Sequence, residues 1–355
     1  MDSNMRQIST DTFLPLVDVV IPVFNADRHL SDTLNTIEAQ DYPLINIYAV
    51  DDCSPDRCSE ILANHRSKYP FHVIRHETNK GLSAARNTGI SNGHGDFIAI
   101  LDADDLWRTN KVSRQVEAFL AGNDSLGIIS SYFQVIDREG NMTNDTIYDY
   151  CKDIDPGSRQ QLVAGNLVSG GSAAMIRRQC FTQCGGFDES LSACEDWEMW
   201  YRISIDFSIR IIPDPLVLVR RYAESMQGDT PRMLRNRLEV LQRFIPDQQC
   251  AALAATLYRQ ECIRCFHYLE VNPQASTQMA LQGLHALGID PGKQMHSLWS
   301  EAYNRYRVMA IWLSLWEKID GRLEIRRRAK ENRQISRFYR ALRWRVLALK
   351  AKISS

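Results

Sequence analysis

The chain has 355 residues, 44% of them apolar, which is enough for one large domain with an appendage or for two domains. No apolar run reaches the roughly 18 residues of a membrane-spanning helix, and residues 1–14 lack the pattern of a secretory signal, so we expect a cytoplasmic protein, free or peripheral on the cytoplasmic face of the membrane. The net charge of −1 hides a basic tail, because residues 317–355 hold thirteen Lys and Arg against four Asp and Glu, a pattern typical of an anionic partner.

The first third of the chain alternates between apolar runs typical of buried strands and helical patterns. The runs lie at residues 17–24, 45–50, 71–74 and 97–101. This alternation favours a parallel sheet with helices on both faces. Asn25 is predicted to cap the first helix, and Ser54 with Pro55 to open the second. The absence of a Gly-x-Gly-x-x-Gly after the first strand, and of a P-loop motif, disfavours dinucleotide oxidoreductases and P-loop enzymes.

Two of the predicted strands end in acidic residues. Asp51 and Asp52 follow the second strand, while Asp102 and Asp104 follow the fourth. Residues two apart in an extended chain point the same way, so Asp102 and Asp104 are expected to face one spot at the edge where such sheets bind ligands. A carboxylate pair suits Mg²⁺ or Mn²⁺, and the alternative is an ordinary polar loop after a strand.

The alternation loosens beyond residue 111. The expected elements are a helix near 111–120, a strand at 126–133, a polar loop at 137–156 as a candidate lid, a strand at 170–176, a helix that starts within 192–202, and helices throughout from about 230. Ser192 and Glu195 have the spacing of a capping box for the helix that follows. Trp197, Trp200 and Tyr201 share one face of that helix, where they either stack on a sugar or, as is more usual, pack in the core.

Five segments in one order resemble the family 2 glycosyltransferases of GT-A fold. They read VVIPVFN at 19–25, VDDCSPD at 50–56, GLSAARN at 81–87, LDADD at 101–105, and GFD at 186–188 leading to EDW at 195–197. The resemblance implies a Rossmann-like α/β domain, with a mixed, mostly parallel sheet, over residues 14–228. A mainly helical C-terminal region then covers residues 229–355. The implied activity is an inverting transfer of a sugar from a nucleotide diphosphate sugar, with Mn²⁺ or Mg²⁺.

The resemblance also implies roles for single residues of the donor site. Asp104 is expected to hold the metal, with Asp102 as a second ligand nearer the ribose or a metal-bound water. Asp52, in preference to Asp51, would accept the imide N–H of uracil, which predicts a UDP-sugar. Asp105 either adds a ligand or caps the next helix. The full set of expected nucleotide-sugar contacts is Pro22, Val23, Asn25, Asp51, Asp52, Arg86, Asp102, Ala103 and Asp104.

On the acceptor side, the resemblance makes Asp196 the general base, with Glu195 and Trp197 as acceptor contacts. The acceptor would be a glycan or a lipid-linked precursor in polysaccharide biosynthesis. Many relatives carry a histidine where this chain has Tyr222, so the diphosphate is expected at Arg220 or Arg221. The competing interpretation is a non-catalytic scaffold protein that still binds a nucleotide sugar.

The last segment predicts a basic amphipathic helix. Its apolar stripe runs from Ile335 to Ile353 and is flanked by arginines. Such a helix suits the surface of an anionic membrane, and the alternative is packing on the catalytic domain or on a second subunit of a homo-oligomer. Nucleic acid is disfavoured, because no binding motif accompanies the charge.

Overall fold

The computed structural model describes residues 14–147, 153–155, 158–222, 225, 229–258 and 261. The chain divides into two compact units, residues 1–265 and 266–355, and every described residue lies in the first. The predicted basic amphipathic helix lies outside the described residues, and the predicted domain boundary at residues 228 and 229 stays a prediction. Among the residues that the structure covers, no helix combines the length and apolarity needed to cross a membrane.

The described part contains a nine-stranded sheet with helices around it. Its strands are β1 (Val17–Val23), β2 (Ile45–Asp51), β3 (Phe71–Arg75), β4 (Phe97–Ile100), β5 (Leu106–Trp107), β6 (Leu126–Ile136), β7 (Met142–Ile147), β8 (Met175–Arg177) and β9 (Ser208–Arg220). The helices are α1 (Leu30–Glu38), α2 (Cys58–Asn64), α3 (Leu82–Asn92), α4 (Lys111–Leu120), α5 (Gln160–Val163), α6 (Arg178–Cys184), α7 (Glu195–Ile203) and α8 (Thr230–Phe244), with a 3₁₀ helix at Gly171–Ala173.

The strand order is β3-β2-β1-β4-β8-β6-β9-β5, with β7 paired to β6. The four strands of the first third are parallel, as their alternation with helices predicts. All seven residues of β1 are buried, so both of its faces are covered. A Cβ on Gly89 of α3 would lie 2.5 Å from Val20 Cγ1, so glycine at this position lets α3 pack directly on β1.

The later strands make the sheet mixed. β8 runs antiparallel between β4 and β6, while β6 and β9 are parallel to each other. The strand predicted at 170–176 is shorter than expected, since Gly170 has a φ of 84° and a 3₁₀ turn precedes β8. The polar segment at 137–156 also contains β7, which among the described strands pairs with β6 alone; an edge strand needs no continuous apolar pattern.

Two predicted helix starts are wrong. Asn25 does not cap a helix: its φ is 51°, and α1 begins five residues later at Leu30. Likewise α2 begins at Cys58 and not at Pro55. The Ser54 hydroxyl instead accepts the backbone N–H of Asn25 at 2.7 Å. These two polar residues therefore join the loops that follow β1 and β2.

Candidate active site

A cavity of about 340 Å³ opens where β1, β2 and β4 end. Because these strands are parallel neighbours, the residues that follow them meet at one edge of the sheet. The lining includes seven of the residues predicted to contact the nucleotide sugar, namely Pro22, Val23, Asn25, Asp52, Asp102, Ala103 and Asp104. The structure therefore brings together most of the predicted donor site.

Asp52 is held by donors from the segment after β3. Its Oδ1 accepts from the backbone N–H of Lys80 at 2.8 Å and lies 2.7 Å from Nδ1 of His76, and its Oδ2 accepts from the N–H of Gly81 at 2.8 Å. His76 is buried, with Nε2 at 2.9 Å from Thr88 Oγ1. A carboxylate has about four acceptor positions, so roughly one remains on Asp52 for a ligand N–H.

Asp51 does not reach the cavity. It is only 1% exposed, and its Oδ2 accepts from Arg75 at 2.8 Å and from Ser59 Oγ at 2.5 Å. Its Oδ1 accepts the backbone N–H of Ser54 at 2.8 Å. Successive side chains of a strand point to opposite faces, so only one of this acidic pair can face the ligand. The prediction that Asp51 contacts the nucleotide is therefore wrong, and Asp52 is the acid of this pair that lines the cavity.

Asp102 and Asp104 both line the cavity, and each already has a hydrogen-bond donor. Arg86 Nη2 donates to Asp102 Oδ1 at 2.7 Å, and the Tyr222 hydroxyl donates to Asp104 Oδ2 at 2.9 Å. The backbone N–H of Asp102 donates to Ser172 Oγ at 3.1 Å. Burial and the neighbouring charge of Asp102 raise the pKa of Asp104. Among the described residues, no other residue donates a hydrogen bond to Oδ2 of Asp102 or to Oδ1 of Asp104.

These two residues fit a divalent cation that shares its coordination with a ligand. Mg²⁺ and Mn²⁺ are commonly held by one or two carboxylates together with substrate phosphates and waters. Within the described residues, no cluster of three or more His, Cys, Asp and Glu side chains could hold a metal without such help. Asp102 and Asp104 would be the protein ligands, and the remaining positions would be left to phosphate oxygens and water.

Asp105 has a structural role next to this pair. It is buried, and its Oδ1 accepts the backbone N–H of Arg220 at 2.9 Å. Burial, with the charges of Asp104 and Asp102, raises its pKa well above the usual range. The helix cap considered for Asp105 is not formed, because α4 starts at Lys111. Asp105 therefore holds the end of β9 next to Asp102 and Asp104 through this hydrogen bond.

Arg86 joins Asp102, at the edge of the cavity, to α7. The residue is 2% exposed, and its guanidinium donates to Asp102 Oδ1 and, through Nη1, to Glu195 Oε1 at 2.6 Å. It is almost completely buried and does not line the cavity, so the predicted contact with the nucleotide sugar is corrected. A Cβ on Gly171 would lie 2.9 Å from Arg86 Nη2, so this glycine leaves room for the guanidinium.

The start of α7 differs from the predicted capping box. Glu195 is the first residue of the helix, Cys194 is the N-cap with a φ of 60°, and no side chain caps the helix. Glu195 is buried against Arg86, which also corrects its predicted contact with the acceptor. Ser192 is held instead by Asn236 of α8, whose Oδ1 accepts the Ser192 N–H at 2.9 Å.

Asp196 is the partly exposed acid of α7 and lies beside the Gly170 loop. Asn166 Nδ2 donates to its Oδ2 at 2.9 Å, and the backbone N–H of Trp197 lies 2.7 Å from its Oδ1. Burial, and next the charge of Glu195, raise the pKa of Asp196 to about 7. A carboxylate that titrates near neutral pH has the proton affinity of a general base. Asp196 is not part of the cavity lining that contains Asp52 and Asp104.

Trp197 packs inside the protein. It is 2% exposed, its Nε1 donates to the Leu162 carbonyl at 2.5 Å, and its ring meets Phe244 of α8 edge-on at 5.5 Å between centroids. Trp200 and Tyr201 are buried as well. The acceptor contact predicted for Trp197 is therefore wrong, and the aromatic face of α7 belongs to the core.

The arginines expected to hold the diphosphate are engaged elsewhere. Arg221 is not in the cavity lining, and its guanidinium lies over the ring of Phe133 at 5.8 Å. Arg220 lines the cavity, but its guanidinium donates to three backbone carbonyls, those of Asp104, Asp137 and Arg138. Each of these roles is structural.

Four residues that shape the site were not predicted from the sequence. They are His76 beside Asp52, Asn166 beside Asp196, Ser172 beside Asp102, and Arg232 of α8 in the cavity lining. Only His76 had a usable signal, because it follows β3 and so lies at the same edge of the sheet as Asp52. The other three come from distant loops or from α8.

Sequence comparison identifies the family. Residues 18–185 match the model described as glycosyl transferase family 2. An uncharacterized glycosyltransferase of Rickettsia bellii is 28% identical over 226 residues, which are 63% of this chain and 32% of that protein. The putative teichuronic acid biosynthesis glycosyltransferase TuaG of Bacillus subtilis is 36% identical over 104 residues, which are 29% of this chain and 41% of TuaG. The chain spans only about a third of the length of the first Rickettsia relatives.

Solved structures share the fold at low sequence identity. Residues 1–349 of Staphylococcus aureus TarS, in complex with UDP-GlcNAc, superpose with a TM-score of 0.59 at 16% identity, over 82% of this chain and 89% of that one. The mannosyltransferase PcManGT of Pyrobaculum calidifontis, in complex with GDP-Man and Mn²⁺, gives a TM-score of 0.54 at 18% identity, over 86% and 89% of the two chains. Residues 18–185 therefore form a glycosyl transferase family 2 domain, and the fold around them is that of the GT-A glycosyltransferases.

Proposed function

We propose that the protein is an inverting, metal-dependent glycosyltransferase. It moves a sugar from a nucleotide diphosphate sugar, a UDP-sugar, to a glycan or lipid-linked acceptor in polysaccharide biosynthesis. The observation that carries the proposal is the single cavity that Asp52, Asp102 and Asp104 line from two strand ends. The ligands named for TarS and PcManGT support a nucleotide sugar, and the name of TuaG supports a polysaccharide product.

The donor end of the cavity suits a nucleoside diphosphate. Asp52 keeps about one acceptor position for the imide N–H of uracil, while Pro22 and Val23 supply the wall beside the base. Asp102 and Asp104 would hold a divalent cation, whose positive charge stabilises the diphosphate as the glycosidic bond breaks.

Asp196 takes the proton of the attacking acceptor hydroxyl. In an inverting transfer, the acceptor oxygen bonds to the anomeric carbon while the bond from that carbon to the diphosphate oxygen breaks on the opposite face. The hydroxyl proton passes to the Asp196 carboxylate, and the nucleoside diphosphate leaves with the electron pair. A pKa of about 7 keeps a large share of Asp196 ionised at neutral pH and still basic enough to accept a proton.

The proposal is tested by transfer and hydrolysis assays with UDP- and GDP-sugars, with and without EDTA. Asp104→Ala and Asp196→Asn should each lower turnover by more than about 100-fold, while Glu117→Gln, an exposed acid on α4, keeps wild-type rates. Metal-independent turnover, or wild-type rates in Asp104→Ala, would refute the mechanism. Tight UDP binding without transfer, unchanged in Asp196→Asn, would favour the non-catalytic scaffold.

A further inference from the structure

The cavity carries more negative than positive charge before any ligand enters. Four acidic residues line it, namely Asp52, Asp102, Asp104 and Asp105; because burial raises the pKa of Asp105, only the other three are set against the two lining arginines, Arg220 and Arg232. A nucleoside diphosphate brings further negative charge, and like charges in a partly buried site repel strongly. One divalent cation can offset only part of this charge. The site therefore needs protein cations that are not already neutralised by protein acids.

Three arginines are near enough to be considered. Arg86 is paired with both Asp102 and Glu195, so its charge is already balanced. Arg220 is 5% exposed and gives its Nε and both protons of Nη1 to backbone carbonyls. Arg232 is the third: it lines the cavity, as Arg220 does, but it is partly exposed and gives fewer of its N–H groups to backbone carbonyls.

Arg232 is positioned but not neutralised. Its Nε donates to the carbonyl of Ser192 at 2.9 Å, and its Nη2 donates to the same oxygen. Among the described residues, no carboxylate lies within ion-pair distance of the guanidinium. Two hydrogen bonds use two of the five N–H groups, which leaves three for a ligand. A planar guanidinium fixed at one edge presents its other edge as a fork for phosphate oxygens.

We propose that Arg232 binds the diphosphate of the nucleotide sugar, so that α8 completes the donor site. This inference rests on the proposed function and adds a residue that lies 47 positions beyond the end of the family match at residue 185. It replaces the expectation that Arg220 or Arg221 takes this role. It also means that residues 18–185 alone lack part of the diphosphate site.

The same side chain links the diphosphate to the helix that carries Asp196. Arg232 and Asn236 both hold the segment before α7: Asn236 Oδ1 accepts the N–H groups of Ser192 and Ala193, at 2.9 and 3.1 Å. Loss of Arg232 therefore removes a cation and also removes the hydrogen bonds that hold the segment before α7. Asn236→Ala removes hydrogen bonds to the same segment but leaves the cation. It therefore separates the loss of charge from the loss of structural support.

The experiment compares how the full chain binds UDP, UMP and uridine, and GDP, GMP and guanosine, by calorimetry in the presence of Mn²⁺. The variants are Arg232→Gln, Arg232→Lys, Asn236→Ala and Arg235→Gln, the last an exposed arginine on the same helix that pairs with Glu239. Arg232→Gln should weaken the preferred nucleoside diphosphate by about 10- to 100-fold and the matching nucleoside by less than about threefold. Arg232→Lys should fall between Gln and wild type, and the other two variants should bind the diphosphate like wild type.

Each outcome decides between the alternatives. Equal binding of the diphosphate by wild type and Arg232→Gln would overturn the inference and leave the proposed function standing. If Arg232→Gln loses as much affinity for the nucleoside as for the diphosphate, or if Asn236→Ala loses as much affinity for the diphosphate as Arg232→Gln, then Arg232 only supports the segment before α7. Either result would also overturn the inference. A wild-type protein that binds neither UDP nor GDP would refute the donor site itself, and with it both proposals.

Discussion

Removal of the Asn166 amide should shift the pH dependence of the reaction. Asn166 Nδ2 donates to Asp196 Oδ2 at 2.9 Å, which favours the ionised carboxylate. A hydrogen bond to a charged group contributes about 1.5 to 3 kcal/mol, and water recovers part of this because Asp196 is partly exposed. Since about 1.4 kcal/mol corresponds to one pKa unit, Asn166→Ala should raise the pKa of Asp196 from about 7 to about 8.

If Asp196 is the base, as proposed, it must be deprotonated, so kcat/KM should rise with pH through the pKa of Asp196 and level off above it. At pH 6, Asn166→Ala should be about tenfold slower than wild type, and at pH 9 the two should agree within about twofold. The assay is release of the nucleoside diphosphate between pH 5.5 and 9.5, with Asp196→Asn as the inactive control. A wild-type midpoint near pH 4, or identical midpoints in wild type and Asn166→Ala, would refute this account of the base.

Three further substitutions have defined outcomes. In the wild type, both oxygens of Asp52 accept backbone N–H groups. In Asp52→Asn the side-chain NH₂ would face one of these N–H donors in place of an acceptor, so calorimetry should show UDP binding weakened by about 10-fold or more. Burial lowers the pKa of Lys111 well below its usual range, so the unfolded chain binds the extra proton and stability rises with pH by up to about 1.4 kcal/mol per unit. Lys111→Met should remove this contribution to the slope, measured by urea unfolding as the pH rises toward the usual lysine pKa of about 10.4. Tyr222→Phe frees Oδ2 of Asp104, so Mn²⁺ affinity with UDP, measured by electron paramagnetic resonance, should increase by about three- to tenfold.

The proposed donor half of the site was predictable because local patterns determine it. Asp102 and Asp104 follow a buried strand with a spacing of two, and both line the cavity as that spacing predicts. The parallel pairing of β1, β2 and β4 then brings Asp52 to the same edge. Asp51 shows the limit of the pattern. The choice between two adjacent acids depends on which face of β2 is turned toward Arg75, and the sequence does not state that orientation.

The proposed acceptor half depends on contacts between distant parts of the chain. Ser192 and Glu195, three residues apart, have the spacing of a capping box. In the structure the Glu195 carboxylate instead pairs with the buried Arg86, which lies 109 residues away in the chain. Because Glu195 faces inward, Ser192 forms its hydrogen bonds with Asn236 of α8. Local rules assigned both residues to a capping box, and tertiary ion pairing overrode that assignment. A motif read along the chain cannot contain this information.

Arg86 explains how two adjacent acids on α7 acquire different roles. Glu195 and Asp196 lie side by side in a half-buried site, where two uncompensated negative charges repel each other. Arg86 is bound to Glu195 and to Asp102, so its charge stabilises both of those carboxylates. Asp196 receives less of that stabilisation and has Asn166 as a neutral partner, which leaves it the acid whose pKa lies near 7. One buried guanidinium thus joins the Asp102 edge of the cavity to α7 and, by pairing with Glu195, leaves Asp196 available for the proposed role of base.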